Sequence, residues 1–339
     1  MTFPLLNLPS LAYEEVLLYL DIADLIDFSL LSSRCHRIIR STRFLLTGID
    51  VCISSYCNNL KFYGNTPEPI AEWEFFEKPW KLTSDAEIGW RQIGEMKIRT
   101  QKTPKWRSIQ EHVNNFKVAF DYVQGLFRLP IARYWMWYKY QKLFPHEFRI
   151  TKCDELYLSV SDEIPVDELN YVLEKMEISK KLGLYLKNKN NLMYGFVRFS
   201  MDELRVDRGF WITKETFLAM DCVRIDLAVQ TNQNLPIQEF VSQWLSSKNT
   251  RFEWLKMYIV SGYIDWNDEL KPMKWDPKVR GRNFKINRTR RVDCKNGIDF
   301  LRDDGMLATV VQEGFGIVYF IVWHKRFQPE ADHLELDSV

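Results

Sequence analysis

Nowhere in its 339 residues does the sequence collect the ~18 uncharged apolar residues in a row that a membrane-crossing helix needs. It opens on Phe3-Pro4-Leu5-Leu6 with neither a basic leader nor a long apolar core, so the chain is expected to be intracellular, in cytoplasm, nucleus or both, and off the membrane. An excess of one charge is also missing. The 46 Lys and Arg residues meet 45 Asp and Glu for a net charge of +1, so no global field draws the molecule to nucleic acid or anionic lipid, and an electrostatic partner must be recognised locally. None of the six cysteines, Cys35, Cys52, Cys57, Cys153, Cys222 and Cys294, belongs to a C-x-x-C pair; they are expected as reduced, buried thiols. Catalytic motifs are absent as well. There is no Gly-rich phosphate loop, no G-x-S-x-G elbow and no H-E-x-x-H, and the five histidines are isolated along the chain. The carboxylate pairs Glu14-Glu15 and Asp303-Asp304 read as solvated neighbours in surface helices or turns. No enzyme class is supported, and no cofactor or metal is expected.

What is present is apolar material. At 46% hydrophobic and 14% aromatic, the chain can bury a large core and is long enough for more than one domain. The first 41 residues predict three short helices. Val16, Leu17 and Leu20 share one helical face, with Ser10 at the cap position. Leu25, Phe28 and Leu31 fall three apart after Asp21, and Ser32 or Ser33 can cap a third helix with Cys35, Ile38 and Ile39 inward. Leu5, Leu8, Leu11, Leu18 and Leu30 are apolar too, more than such a small module can hide, which implies a second surface to pack against. Charge is polarised: Glu14, Glu15, Asp21, Asp24 and Asp27 lie in the first two helices, and Arg34, Arg37, Arg40 and Arg43 in or just after the third. A polarised, apolar-rich helical module suits docking to a partner, although the same residues allow a helical subdomain packed on its own chain.

The run Phe3-Pro4-Leu5-Leu6-x-Leu8-Pro9, then Val16-Leu17, then Asp24-Leu25-Ile26-x-Phe28-Ser29-Leu30-Leu31-Ser32-Ser33-Arg34, resembles the F-box, and in particular the expanded nematode F-box families. The resemblance implies that Leu8, Pro9, Val16, Leu17, Leu20, Leu25, Phe28 and Leu31 include the contacts to the Skp-type adaptor of a Skp, cullin and F-box ligase.

From Gly48 to Lys105 the turn residues Gly64 to Pro69, Lys78-Pro79-Trp80 and Gly89 predict loops and short strands. Trp106 to Phe127 then predicts one long helix, with Ile109, Val113, Phe116, Phe120, Val123 and Phe127 at steps of three and four. Next comes an internal repeat. Cys153 to Val160 followed by Ile164-Pro165-Val166 parallels Cys222 to Val229 followed by Leu235-Pro236-Ile237, each a half-buried strand, a turn and a helix with proline tolerated in its first turn. Further strand-like runs at Ile131 to Tyr138, Leu182 to Lys187 and Trp254 to Val260 extend the rhythm. Stacked strand and helix units predict a leucine-rich-repeat-like solenoid; an ordinary α/β sheet with crossover helices fits the same alternation. The stretch from Asn234 to Leu255, a helix ending in Trp244 before a polar turn and a Leu-containing strand, is similar to the type 2 F-box-associated domain of nematode proteins, with Ser246-Ser247 where that family has Gly. That resemblance implies a client-binding domain.

Two features remain near the end. Lys278, Arg280, Arg282, Lys285, Arg288, Arg290 and Arg291 form a local cationic run interrupted by Gly281, Asn283 and Phe284. Arg280, Arg282, Arg288, Arg290 and Arg291 are candidates for an acidic or phosphorylated client; nucleic acid would call for more interleaved aromatics, and a solvated loop is the plain reading. Gly305 to Trp323 predicts two strands joined at Glu313 to Gly316. The expected fold is α+β: a three-helix F-box over 1–47, a connecting region over 48–105, an irregular α/β leucine-rich-repeat-like domain over 106–326 with a C-terminal β-hairpin, and a loose tail over 327–339. The expected function is a non-catalytic substrate receptor of a Skp-cullin-F-box ubiquitin ligase, holding an unidentified protein client for ubiquitin-dependent degradation. A free-standing solenoid scaffold, binding protein or nucleic acid without a ligase, is the alternative.

Overall fold

The computed structural model describes residues 8–76, 87–102, 106–109, 113–138, 142–186, 195–209, 211–228, 235–258, 264–314 and 316–324. The chain divides into two compact units, Met1–Ile178 and Ser179–Val339.

The first unit begins with three helices, α1 (Ser10–Leu18), α2 (Ile22–Leu30) and α3 (Ser33–Ser41). Asp21 caps α2 by accepting from the Asp24 amide at 2.8 Å, and Ser32 caps α3 by accepting from Cys35 at 3.1 Å. Ser10 does not cap α1: it is the first helical residue, and Pro9 before it makes no side-chain capping bond. Leu17, Leu25, Ile26, Cys35, Ile38 and Ile39 are buried between the helices and the body of the unit.

That body is a mixed sheet. Its strands are β1 (Gly48–Ser54), β2 (Cys57–Tyr63), β3 (Pro69–Phe76), β4 (Glu87–Ile93), β5 (Met96–Lys102), β6 (Trp106–Ile109), β7 (Ile131–Tyr138) and β8 (Lys152–Val160), ordered β8-β7-β1-β2-β3-β6-β5-β4. The segment expected as loops and short strands thus holds five strands of seven or eight residues, and Gly64 to Glu68 is the turn between two of them. The long helix expected from Trp106 is also corrected. Trp106 to Ile109 is a strand, parallel to β3 and antiparallel to β5, and α4 starts only at Val113 and runs to Phe127. Pairing with two flanking strands overrides the helical spacing there. Ile49, Val51, Leu60, Phe62, Trp73, Phe116, Phe120, Tyr134 and Met136 are buried, and Phe75 meets Phe116 edge to face at 5.1 Å. The helix α5 (Val166–Asn170) follows β8 after Pro165, the strand, turn and helix order of the first repeat copy.

In the second unit β9 (Glu177–Tyr185), β10 (Glu203–Asp207), β11 (Arg224–Ala228) and β12 (Trp254–Tyr258) run parallel in that order. The connections carry α6 (Lys214–Leu218) and α7 (Ile237–Ser246), as parallel neighbours require a crossover. An antiparallel portion continues the sheet: β18 (Ile317–Trp323) on β12, then β17 (Leu307–Glu313), β16 (Ile298–Leu301) and β13 (Met273–Lys274). The last hairpin turns between Glu313 and Ile317, as the sequence predicts. One face of this sheet, through Leu204, Val206, Ile225, Leu227, Leu255 and Phe320, is buried, and Phe320 meets Phe240 and Trp244 of α7 at 5.5 and 5.2 Å. On the opposite face a two-stranded hairpin, β14 (Asn283–Lys285) with β15 (Arg291–Asp293), covers the antiparallel end: Phe284, Val292 and Cys294 join Trp254, Leu307, Val311, Tyr319, Ile321 and Trp323 in a second core. The architecture is α+β, three helices followed by large mixed sheet.

Candidate functional site

The N-terminal helices leave apolar side chains in solvent. Tyr19 is 88% exposed, Leu11 76% and Leu31 74%, with Val16 and Leu18 also exposed. Leu11 and Leu18 are seven residues apart, two turns of α1, and share a face. Of the residues the sequence singles out, Pro9, Val16 and Leu31 are exposed, Leu8, Leu20 and Phe28 are half-buried, and Leu17 and Leu25 are buried. The structure therefore gathers part of the set on the surface and puts the rest into the module's own core. Leu11 and Leu18 belong to the apolar surplus for which the sequence implies a second surface, although not to the adaptor set, and Tyr19 is in neither.

The module is held to the body of its unit by polar contacts. The Ser29 hydroxyl lies 2.6 Å from that of Tyr122 on α4 and itself donates to Ile26 O at 2.6 Å. Asp27 forms an ion pair with Arg91 of β4, and Phe44 meets Phe127 edge to face at 5.8 Å. Arg34, Arg37, Arg40 and Arg43 are exposed.

In the second unit, the side of the parallel strands away from the buried face bears charges that match in register. Lys181 opposes Glu203 (2.8 Å), Arg205 opposes Asp226 (3.6 Å), and Asp226 opposes Lys256 (3.1 Å). Arg224 reaches Glu253 at 2.7 Å. Opposite charges facing across strands contribute ~0.2–1 kcal/mol each, and Asp226 is shared between Arg205 and Lys256. Tyr185 stacks beneath Arg205 at 5.2 Å and Tyr258 beneath Lys256 at 5.1 Å, so this is a polar face with aromatic patches.

Beside it stands the cationic run. Arg280 is buried, bonded through Nε to both oxygens of Asp299 and through Nη2 to Cys294 O at 2.9 Å. Arg282 holds Asp293 at 2.7 Å, which keeps that carboxyl below its ordinary range. Arg290 lies over the Tyr319 ring at 5.5 Å and 4.0 Å from Glu313. Arg288 and Arg291 are exposed, as are Lys278 and Lys285, which belong to the same run.

Burial pushes the thiols of Cys52, Cys57, Cys153, Cys222 and Cys294 up to about 12, far from a nucleophile's range. Among the described residues no group of three or more His, Cys, Asp and Glu could hold a metal ion, and no helix is long and apolar enough to cross a membrane.

Residues 5–47 match the F-box domain family, and residues 194–257 match a family described as F-box associated. The chain is a nematode F-box protein. Uncharacterized protein F59B2.9 of Caenorhabditis elegans is 26% identical over 357 residues, spanning 99% of this chain and 82% of the relative. Uncharacterized protein F59B2.8 of the same organism is 25% identical over 363 residues, 98% of this chain and 80% of the relative. No solved structure matches the chain. The F-box match spans α1 to α3, and F-box domains in general bind a Skp-type adaptor as parts of non-catalytic receptors. The F-box-associated match spans β10 through most of β12, with α6 and α7 between. The cationic hairpin lies outside both.

Proposed function

We propose that this F-box protein is the substrate-receptor subunit of a Skp-cullin-F-box ubiquitin ligase. The observation that carries the reading is the exposed apolar surface of the F-box. Leu11, Val16, Leu18, Tyr19 and Leu31 stand in solvent on one small three-helix module, and large apolar side chains exposed together in this way suit an interaction site. With Pro9, and with Leu8, Leu20 and Phe28 at its margin, this surface is the adaptor face, through which a cullin is recruited. Leu17 and Leu25 support it from beneath. The client is held by the C-terminal domain, whose parallel strands with helices on one side and a charged, aromatic-flecked face on the other have the layering of leucine-rich-repeat-like proteins. Such work belongs inside the cell, in cytoplasm or nucleus.

Co-expression with a Skp-type adaptor tests the reading. The parent chain is expected to copurify with the adaptor at 1:1, and Leu18→Asp with Tyr19→Asp to abolish this while the melting temperature of the chain stays within a few degrees. Copurification that survives both substitutions would put the adaptor elsewhere, and no copurification of the parent would sink the receptor assignment.

A further inference from the structure

The hairpin β14–β15 carries like charges at the closest approach a sheet offers. Lys285 and Arg291 are directly opposite. Ile286 N donates to Arg290 O at 3.0 Å and Cys294 N to Arg282 O at 2.7 Å. Those two bonds mark the hydrogen-bonded positions, so alternation makes Lys285 and Arg291 a non-hydrogen-bonded pair, the kind whose Cα atoms stand about 4.5 Å apart. Like charges so placed destabilise a hairpin. Phe284 and Val292 turn inward to the second core, which sends Lys285 and Arg291 outward, and both are exposed. Arg288, in the connecting turn, is exposed too.

Neighbouring arginines are answered from within the chain: Arg280 by Asp299, Arg282 by Asp293, Arg290 by Glu313 and Tyr319. Lys285, Arg288 and Arg291 have no carboxylate within ion-pair distance among the described residues. Among the described residues the hairpin thus presents three cations without a carboxylate partner.

We propose that this outward face of the hairpin is a docking surface for an extended acidic segment of a client protein, an inference that rests on the receptor reading. Carboxylates on alternate residues of an extended chain recur every ~6.6–6.8 Å, so one can meet the opposed Lys285 and Arg291 pair while another reaches toward Arg288 in the turn. A phosphoryl group is a poorer fit. Arginine can pair with it, but the backbone amides that would complete a nest around it are taken: Thr289 N and Arg290 N donate to Asn287 Oδ1 at 3.0 and 2.9 Å, and Ile286 N and Asn287 N to Arg290 O at 3.0 and 3.4 Å. Single-stranded nucleic acid needs aromatic rings to stack on, and the hairpin's Phe284 is only 5% exposed.

Fluorescence anisotropy with the full chain decides it. The probe is a labelled peptide alternating Glu and Ser; comparison ligands are its Gln counterpart, a phosphoserine peptide of equal net charge and a single-stranded RNA. The acidic peptide should bind, weaken with added salt, and lose affinity roughly tenfold in Lys285→Glu, a ΔΔG of about 1.4 kcal/mol. Lys285→Glu should also raise the melting temperature, because it turns the like-charge pair into an ion pair; weaker binding by a more stable protein rules out unfolding as the cause. Arg288→Gln should weaken binding without moving the melting temperature. Parent-like binding by both variants, or tighter binding of phosphopeptide or RNA at equal charge, overturns the proposal. Adaptor copurification of the same variants keeps the two readings apart: its failure in the parent removes the receptor assignment and leaves the anisotropy result standing.

Discussion

Arg280 and Asp299 are joined in the interior of the second unit, Nε to the two carboxylate oxygens at 2.9 and 3.0 Å. The guanidinium also lies over the Trp323 ring at 5.4 Å, and Thr309 donates to Asp299 at 2.7 Å while accepting from Trp323 Nε1 at 2.7 Å. One arginine of a run that reads as a charged surface is therefore a bolt between the β13–β16 edge and the second core. Removing one partner of a buried pair strands the other, so Arg280→Ala should cost ~3–5 kcal/mol. Chemical denaturation measures it; a loss below about 1 kcal/mol, within the range of exposed pairs, would mean that the pair is not buried in solution.

Adjacent leucines of α1 should behave oppositely. Leu17 is fully buried, and Leu17→Ala should destabilise by ~2–5 kcal/mol. Leu18 is exposed, and Leu18→Ala should stay within ~0.5 kcal/mol of the parent. Thermal melts of both, beside adaptor copurification, separate folding from docking. Equal destabilisation of the two would reverse the orientation of α1.

Tyr122 ties the F-box to α4 through Ser29. Tyr122→Phe removes one hydrogen bond and leaves Ser29 bonded to Ile26 O, so the loss should be ~0.5–1.5 kcal/mol. Hydrogen exchange of the α2 amides should quicken by a matching factor. Unchanged exchange would mean that the F-box draws no support from that contact.

Arg302 holds the Asp304 carboxyl, bonded at 2.8 and 2.6 Å, down to about 2 from the ordinary 3.8. A depressed folded-state value stabilises the protein above the unfolded-state value, and the contribution fades as pH falls from about 3.8 to about 2. Asp304→Asn should therefore melt below the parent at pH 7, with the gap closing by pH 2. A gap independent of pH would assign the effect to something other than this charge.

Burial and the raised thiol values predict slow alkylation of Cys153, Cys222 and Cys294 in the native protein at pH 8, with modification only after unfolding. Mass spectrometry of peptides after brief iodoacetamide treatment reads this directly. Rapid labelling of Cys294 would indicate that the second core opens.

What the sequence determined by itself is what near neighbours decide. The three N-terminal helices, a serine cap at Ser32 or Ser33, the strand, turn and helix order after Cys153 and Cys222, and the hairpin turn from Glu313 to Gly316 all depend on spacing or chemistry within a few residues. Pairing across long stretches of chain decided the rest. Between the adjacent leucines of α1, periodicity cannot say that Leu17 turns inward and Leu18 outward; the surface that α1 packs against does. Trp106 to Ile109 carries helical spacing but becomes a strand because β3 and β5 offer hydrogen bonds on both sides. The cationic run is uniform as text. Only the folded chain divides it, since Asp299 lies 19 residues from Arg280 and reaches it through the sheet, while the hairpin register sets Lys285 against Arg291 and leaves both facing water.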